Sequence, residues 1–139
     1  MRTLLTLLLI AAPFAPNAQA ATLYVNSFAN NITKYDTTVV GGNPTPVVSG
    51  SYHYFGIAVD SAGNIYASTG VIDGAPASQI EKFSSTGTLL GIITSPGFNP
   101  TGLALDAAGN LYAANDNGPG VGYVEKFSPA GIEIGRAHV

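Results

Sequence analysis

The chain contains no cysteine and no tryptophan, a single methionine, and only five Lys+Arg against eight Asp+Glu in 139 residues. Without cysteine there is no disulfide scaffold, no thiolate zinc site and no cysteine nucleophile. The formal net charge of −3 comes without a basic stretch, so a surface that could neutralise phosphates is missing, which argues against nucleic acid as a partner. Helical periodicity is missing too. After the first 20 residues no stretch of helical length carries apolar side chains at i, i+3, i+4 and i+7, whereas 17 Gly and 9 Pro interrupt the chain every few residues. A P-loop, a Rossmann fingerprint and a serine nucleophile elbow are likewise absent. What is present is apolar: 46% of residues are hydrophobic and 9% charged, the opposite of a disordered composition.

The N-terminus reads as a secretory signal peptide over 1–20. Arg2 supplies the positive charge, residues 4–12 an apolar core, and Ala18-Gln19-Ala20 the small-residue cleavage site, so Ala21 is the expected mature start. Pro13 and Pro16 interrupt the apolar run well short of the roughly 20 residues a bilayer requires. The expected location is therefore secreted, at the cell surface or in the periplasm, and export without cysteine points to a bacterial protein. The sequon Asn31-Ile32-Thr33 reads as chance. At the other end, residues 133–139 (Glu-Ile-Gly-Arg-Ala-His-Val) break the preceding pattern and back-translate to a common short-read sequencing adapter. They are expected to be adapter read-through, with the natural protein continuing beyond Ile132, and Arg136 and His138 are accordingly not assigned to any site.

Between these ends the chain repeats. Gly56-Ile57-Ala58-Val59-Asp60-Ser61-Ala62-Gly63-Asn64-Ile65-Tyr66-Ala67 matches Gly102-Leu103-Ala104-Leu105-Asp106-Ala107-Ala108-Gly109-Asn110-Leu111-Tyr112-Ala113 at an offset of 46. Ile80-Glu81-Lys82-Phe83-Ser84 matches Val124-Glu125-Lys126-Phe127-Ser128 at 44, and a partial copy opens the mature chain with Leu23-Tyr24-Val25 and Ile32-Thr33-Lys34-Tyr35-Asp36. The spacing predicts strands over 56–59, 65–68, 80–84 and 89–94, with tight turns at 60–64 and around Ser85-Thr86-Gly87. Four-strand units at a period in the forties are most economically blades of a β-propeller. The expected fold is all-β: a partial propeller of four-stranded antiparallel blades over 21–132, divided into 21–54 (partial), 55–100 and 101–132, about two and a half blades in all.

The segments running from Gly56 through Gly91 and from Thr101 through Gly131 resemble the NHL-type propeller repeat, and more loosely the blades of secreted bacterial gluconolactonase/regucalcin-like proteins. The resemblance covers roughly Leu23 to Ile132. It implies a propeller, and its matching residues make turns and cores.

Candidate functional residues therefore lie in the loops that leave one end of the strands, where a rigid scaffold would carry variable side chains. Tyr54, Asp73, Asn115 and Asp116 are the binding candidates, accompanied by Tyr52, His53, Phe98, Asn99 and Asn117. Asp60 and Asp106 recur at one repeat position and read as turn formers, and the Glu81-Lys82 and Glu125-Lys126 pairs read as blade surface. With His138 set aside, His53 lacks a second His or Cys, and Asn115-Asp116-Asn117-Gly118 lacks the alternate spacing and distal Glu of a calcium loop. Two functions follow. The first is a secreted binding or structural module, without catalytic residues or cofactor, for an extracellular polymer, carbohydrate or protein. The alternative is a lactonase-like hydrolase using a divalent cation such as calcium to polarise an ester carbonyl.

Overall fold

Four hairpin turns of one geometry organise the chain. At 60–64, 84–88, 106–110 and 128–132 the first residue's N–H donates to the carbonyl four residues on, at 2.8–3.0 Å, and its own carbonyl accepts from the N–H of a glycine three residues on. Those glycines, Gly63, Gly87, Gly109 and Gly131, have φ of 83°, 87°, 81° and 78°, which is the left-handed third position of a three-residue hairpin loop. Asp60 and Asp106 reinforce their turns identically. Oδ1 accepts from the backbone N–H groups two and four residues on, at 3.0 and 2.8 Å, and Oδ2 accepts from the following Asn side chain at 2.8 Å. The expected turn role of both aspartates is what their geometry shows.

The structure is a computed structural model that describes residues 22–27, 30–37, 44–50, 52–69, 79–94, 99–118 and 122–138. Among these there are eleven strands and no helix. β1 (Thr22–Ser27), β2 (Asn31–Asp36) and β3 (Thr45–Ser49) form a first sheet. β4 (Tyr54–Val59), β5 (Ile65–Thr69), β6 (Gln79–Phe83) and β7 (Leu89–Ile93) form a second, and β8 (Pro100–Leu105), β9 (Leu111–Asn115), β10 (Tyr123–Phe127) and β11 (Glu133–His138) a third. Each is an antiparallel meander in chain order. The repeats superimpose in register: Tyr24↔Lys34, Tyr66↔Lys82 and Tyr112↔Lys126 are the same pair in three sheets. β4 starts two residues before its repeat-derived boundary because Tyr54 pairs with Thr69 across an irregularity.

Residues 133–138 pair with β10 and occupy the place that β7 holds in the second sheet, with the same register shift after the Lys of the partner strand. Edge pairing is carried by backbone groups and tolerates almost any side chain, so it does not bear on the origin of these residues.

The three sheets stack face to face. Because side chains alternate along a strand, each sheet offers one face to its predecessor and the other to its successor. Ile32 and Val48 of the first sheet meet Ile57, Ile65, Ala67 and Phe83 of the second. On the opposite face of that sheet, Ala58, Tyr66 and Ile80 meet Leu111, Ala113 and Phe127 of the third. The first strands approach most closely, β4 lying against β8. A Cβ on Gly56 would come within 2.9 Å of the Thr101 carbonyl oxygen and 3.1 Å of the Gly102 Cα, so glycine there is a packing requirement. Between the first two sheets, the Asn26 side-chain amide donates to the Tyr54 and Phe55 carbonyls at 3.0 and 2.8 Å.

The glutamates correct the sequence reading. Glu81 and Glu125 are buried, 7% and 0% exposed, and are not blade surface. Each lies two residues before a core phenylalanine and so shares its face, while the adjacent lysine points the other way, Lys82 Nζ 4.8 Å above the Tyr66 ring and Lys126 Nζ 5.2 Å above Tyr112.

Candidate binding loops

The two ends of the sheets differ. One end carries the four uniform three-residue turns, together with the connection from Asp36 to Thr45 between β2 and β3. The other carries the connections from β1 to β2, from β5 to β6 and from β9 to β10, and those between successive sheets. At that end the connections are clipped together in pairs: the Gly50 N–H donates to the Asn30 carbonyl at 2.7 Å, and the Asp116 N–H to the Asn99 carbonyl at 3.1 Å. Both clips tie the loop entering a new sheet to the loop inside a sheet, so a local sequence feature becomes a fixed platform.

The second clip is the better built. Asn115, buried at the end of β9, accepts at Oδ1 from the Asn99 N–H at 3.0 Å. Its Nδ2 donates to the Ala113 carbonyl at 3.2 Å and to Glu125 Oε2 at 3.1 Å. The Asn99 amide donates in turn to the Asp116 carbonyl. Asp116 itself is exposed; its Oδ1 accepts from the Gly118 N–H at 3.0 Å, and the φ of 101° at Gly118 is available to glycine alone. Asn115 is therefore the post that positions the loop, and the Asp116 carboxylate, with exposed Asn117 beside it, is what the loop presents to solvent.

Tyr54 sits elsewhere. It is buried at the start of β4, its hydroxyl donates to Glu81 Oε2 at 2.8 Å, and its ring meets Phe83 edge-on with centroids 6.2 Å apart. Burial first, and then the hydrogen bond to Glu81, push the Tyr54 hydroxyl well above the ordinary tyrosine range. Gln79 Nε2 donates to the other Glu81 oxygen at 2.9 Å. In the third sheet the corresponding Glu125 is met by Asn115 and by Arg136, whose guanidinium also lies 4.7 Å above the Tyr123 ring. His53 is half-buried between β3 and β4. Asp73 and Phe98 lie outside the described residues, so the structure brings together Asn99, Asn115 and Asp116 of the expected set and leaves Tyr54 packed between the first and second sheets. Among the described residues no group of three or more His, Asp or Glu could hold a metal ion, and no helix is long and apolar enough to cross a membrane.

The residues missed from sequence are the two buried glutamates. The available signal was parity: Glu81 and Phe83, like Glu125 and Phe127, are two apart on one strand, and the phenylalanine's face is the core face.

Neither a protein-family model nor a curated protein matches this sequence. Among solved structures, the chain is similar to the dipeptidyl peptidase 4 of Porphyromonas gingivalis, with a TM-score of 0.55 and 15% identity over 81% of this chain. That protein has a β-propeller domain, and the chain spans 17% of its length. At this identity the likeness speaks for fold alone: three antiparallel sheets of three and four strands, arranged in a β-propeller-like way.

Proposed function

We propose that the protein is a secreted, NHL-type propeller repeat protein that acts as a binding or structural module, and that the clipped loop end contacts an extracellular polymer, carbohydrate or protein. The observation that carries this reading is the contrast between the ends. Four turns of one closed geometry at one end have only to reverse the chain, whereas at the other end a buried hydrogen bond from Asn115 to Glu125 and a partly buried one from Asn99 to Asn115 fix the loop that exposes Asp116 and Asn117. Holding exposed polar groups on a rigid frame lowers the ordering cost of a contact, and the Asp116 carboxylate stays exposed while its Oδ1 accepts the Gly118 N–H.

The test is a binding screen against bacterial surface polysaccharides, repeated with Asp116→Ala, Asn117→Ala and, at the turn end, Ala62→Glu. Retention should fall several-fold in the two loop variants and hold in Ala62→Glu; loss in Ala62→Glu alone would move the contact to the opposite end. The same preparations are assayed for lactone hydrolysis with added calcium, zinc or manganese, where no turnover above background is expected. Metal-dependent turnover that disappears in Asp116→Ala or Asp73→Ala would replace the binding module by a hydrolase.

A further inference from the structure

Of the asparagines in the chain, Asn117 alone is followed by glycine. That neighbour matters because the backbone nitrogen after an asparagine can attack the side-chain carbonyl, and a residue without Cβ leaves the approach unhindered. The structure adds two further conditions. Asn117 is exposed in the connection between β9 and β10, and a Cβ built on Gly118 would meet nothing within 4 Å. The Gly118 N–H donates to Asp116 Oδ1 at 3.0 Å. The nitrogen that would attack is thus already hydrogen-bonded to a carboxylate able to take its proton, within the reach a general base requires.

Asparagines elsewhere in the sheets are held differently. Asn64 and Asn110 close their turns with Nδ2 on the Asp60 and Asp106 carboxylates, and the residues that follow them, Ile65 and Leu111, are buried and begin β5 and β9. Asn26 and Asn115 are buried, with their amide groups donating to the Tyr54 and Phe55 carbonyls and to the Ala113 carbonyl and Glu125. Asn99 precedes Pro100, whose nitrogen carries no proton to give up.

We infer that Asn117 is a self-modification site at which the loop deamidates, with water as the co-substrate and Asp116 as the base. The Asp116 carboxylate takes the Gly118 N–H proton while that nitrogen bonds to Asn117 Cγ. The proton then passes to Nδ2, the Cγ–Nδ2 bond breaks, and ammonia departs from a succinimide. Water opens the ring, its hydroxyl going to either ring carbonyl carbon and its other proton to the Gly118 nitrogen as the bond between those atoms breaks. Attack at Cγ gives aspartate; attack at the Asn117 backbone carbonyl carbon gives isoaspartate, which routes the main chain through the former side chain and lengthens it by a methylene. Either product sets a second carboxylate beside Asp116 and makes the chain one charge more negative. This chemistry needs no ligand on the loop, so its test is separate from the binding screen.

The full chain is incubated in warm neutral buffer, and samples over time are resolved by ion exchange and by peptide mapping with mass spectrometry. The peptide containing Asn117 should gain the mass of deamidation with first-order kinetics and split into aspartyl and isoaspartyl forms, while those containing Asn64 and Asn110 stay unchanged. Asn117→Gln should remove the acidic charge variant. Asp116→Asn keeps an Oδ1 that can accept the Gly118 N–H but cannot take its proton, and should slow the conversion at least about tenfold, with circular dichroism confirming that both variants retain their strands. Unfolding in urea should erase that difference, because the hydrogen bond between Asp116 and Gly118 is a property of the folded loop. An Asn117 amide that survives as long as those of Asn64 and Asn110, conversion in Asp116→Asn at the native rate, or a difference that persists in urea would each overturn the inference.

Discussion

At the scale of single residues, one repeat position separates packing from conformation. Gly56 and Gly102 occupy the same place in their sheets, and neither has a positive φ. A Cβ at Gly56 meets the backbone of Thr101 and Gly102 at 2.9 and 3.1 Å, whereas at Gly102 the nearest atom is the Ala114 Cβ at 3.7 Å. Gly56→Ala should therefore cost about 1–3 kcal/mol in urea unfolding, the penalty of overpacking, while Gly102→Ala is neutral or slightly stabilising. Equal costs would mean that β4 and β8 do not approach as described. Tyr54 makes a second case. Tyr54→Phe removes one of the two side-chain donors to buried Glu81 and should cost about 1.5–3 kcal/mol near neutral pH, as for a hydrogen bond to a charged group. The folded state raises the Tyr54 pKa, so the proton is held more tightly folded than unfolded. That contribution is complete below the ordinary tyrosine value of about 10 and is lost as pH rises through and beyond it. Wild type should lose stability above about pH 10 more steeply than Tyr54→Phe, measured by urea melts across that range.

At the scale of elements, the turns carry the repeat and also join the sheets. Gly63→Ala puts an L side chain at φ 83°, with only the Ser85 Cβ at 3.4 Å nearby, so it should cost about 1–2 kcal/mol from backbone strain. Gly87→Ala adds to the same strain a collision with the Val47 carbonyl of the first sheet. It should be clearly worse, with early proteolysis within β1 to β3 as the readout. Asp60 and Asp106 both have lowered pKa values. At Asp60 burial alone would raise it, but the hydrogen bonds from Asn64 and Ala62 and the charge of Lys82 outweigh that; at Asp106 the Asn110 side chain leads. Their contribution is present above the ordinary carboxylate pKa and lost as pH falls through it toward the lower folded value, so the destabilisation by Asp106→Ala should shrink in acid. These turns were legible because their chemistry is local: an Asp, a Gly three residues on and an Asn after it close the same hydrogen bonds wherever they occur. β3 was not legible, since Thr45-Pro46-Val47-Val48-Ser49 has no copy of itself to align with and finds its register only by pairing with β2. The burial of Glu81 and Glu125 was hidden for another reason. A charged pair beside a lysine looks like surface until strand parity is followed to Phe83 and Phe127. For the loops, the sequence located Asn115 and Asp116 but could not divide their roles, because which of two neighbours turns inward depends on Asn99, 16 residues upstream of Asn115.

At the scale of the whole molecule, identical repeats acquire different stabilities from their neighbours. Tyr66 and Tyr112 share a repeat position and a lysine partner, yet one is buried and the other half-buried, because a sheet covers the first and none among the described residues covers the second. In stacked repeats each unit is stabilised chiefly by its interfaces with the next, and the second sheet has two such interfaces where the others described have one. All five residues of β5 are buried, against Leu111, Ala113 and Asn115 in β9. The outer strands contrast with both, as β11 is exposed throughout and β7 at all but Ile93. Amide exchange should follow this order, slowest in β5, intermediate in β9, and fastest in β7 and β11, whose opening disturbs little packing.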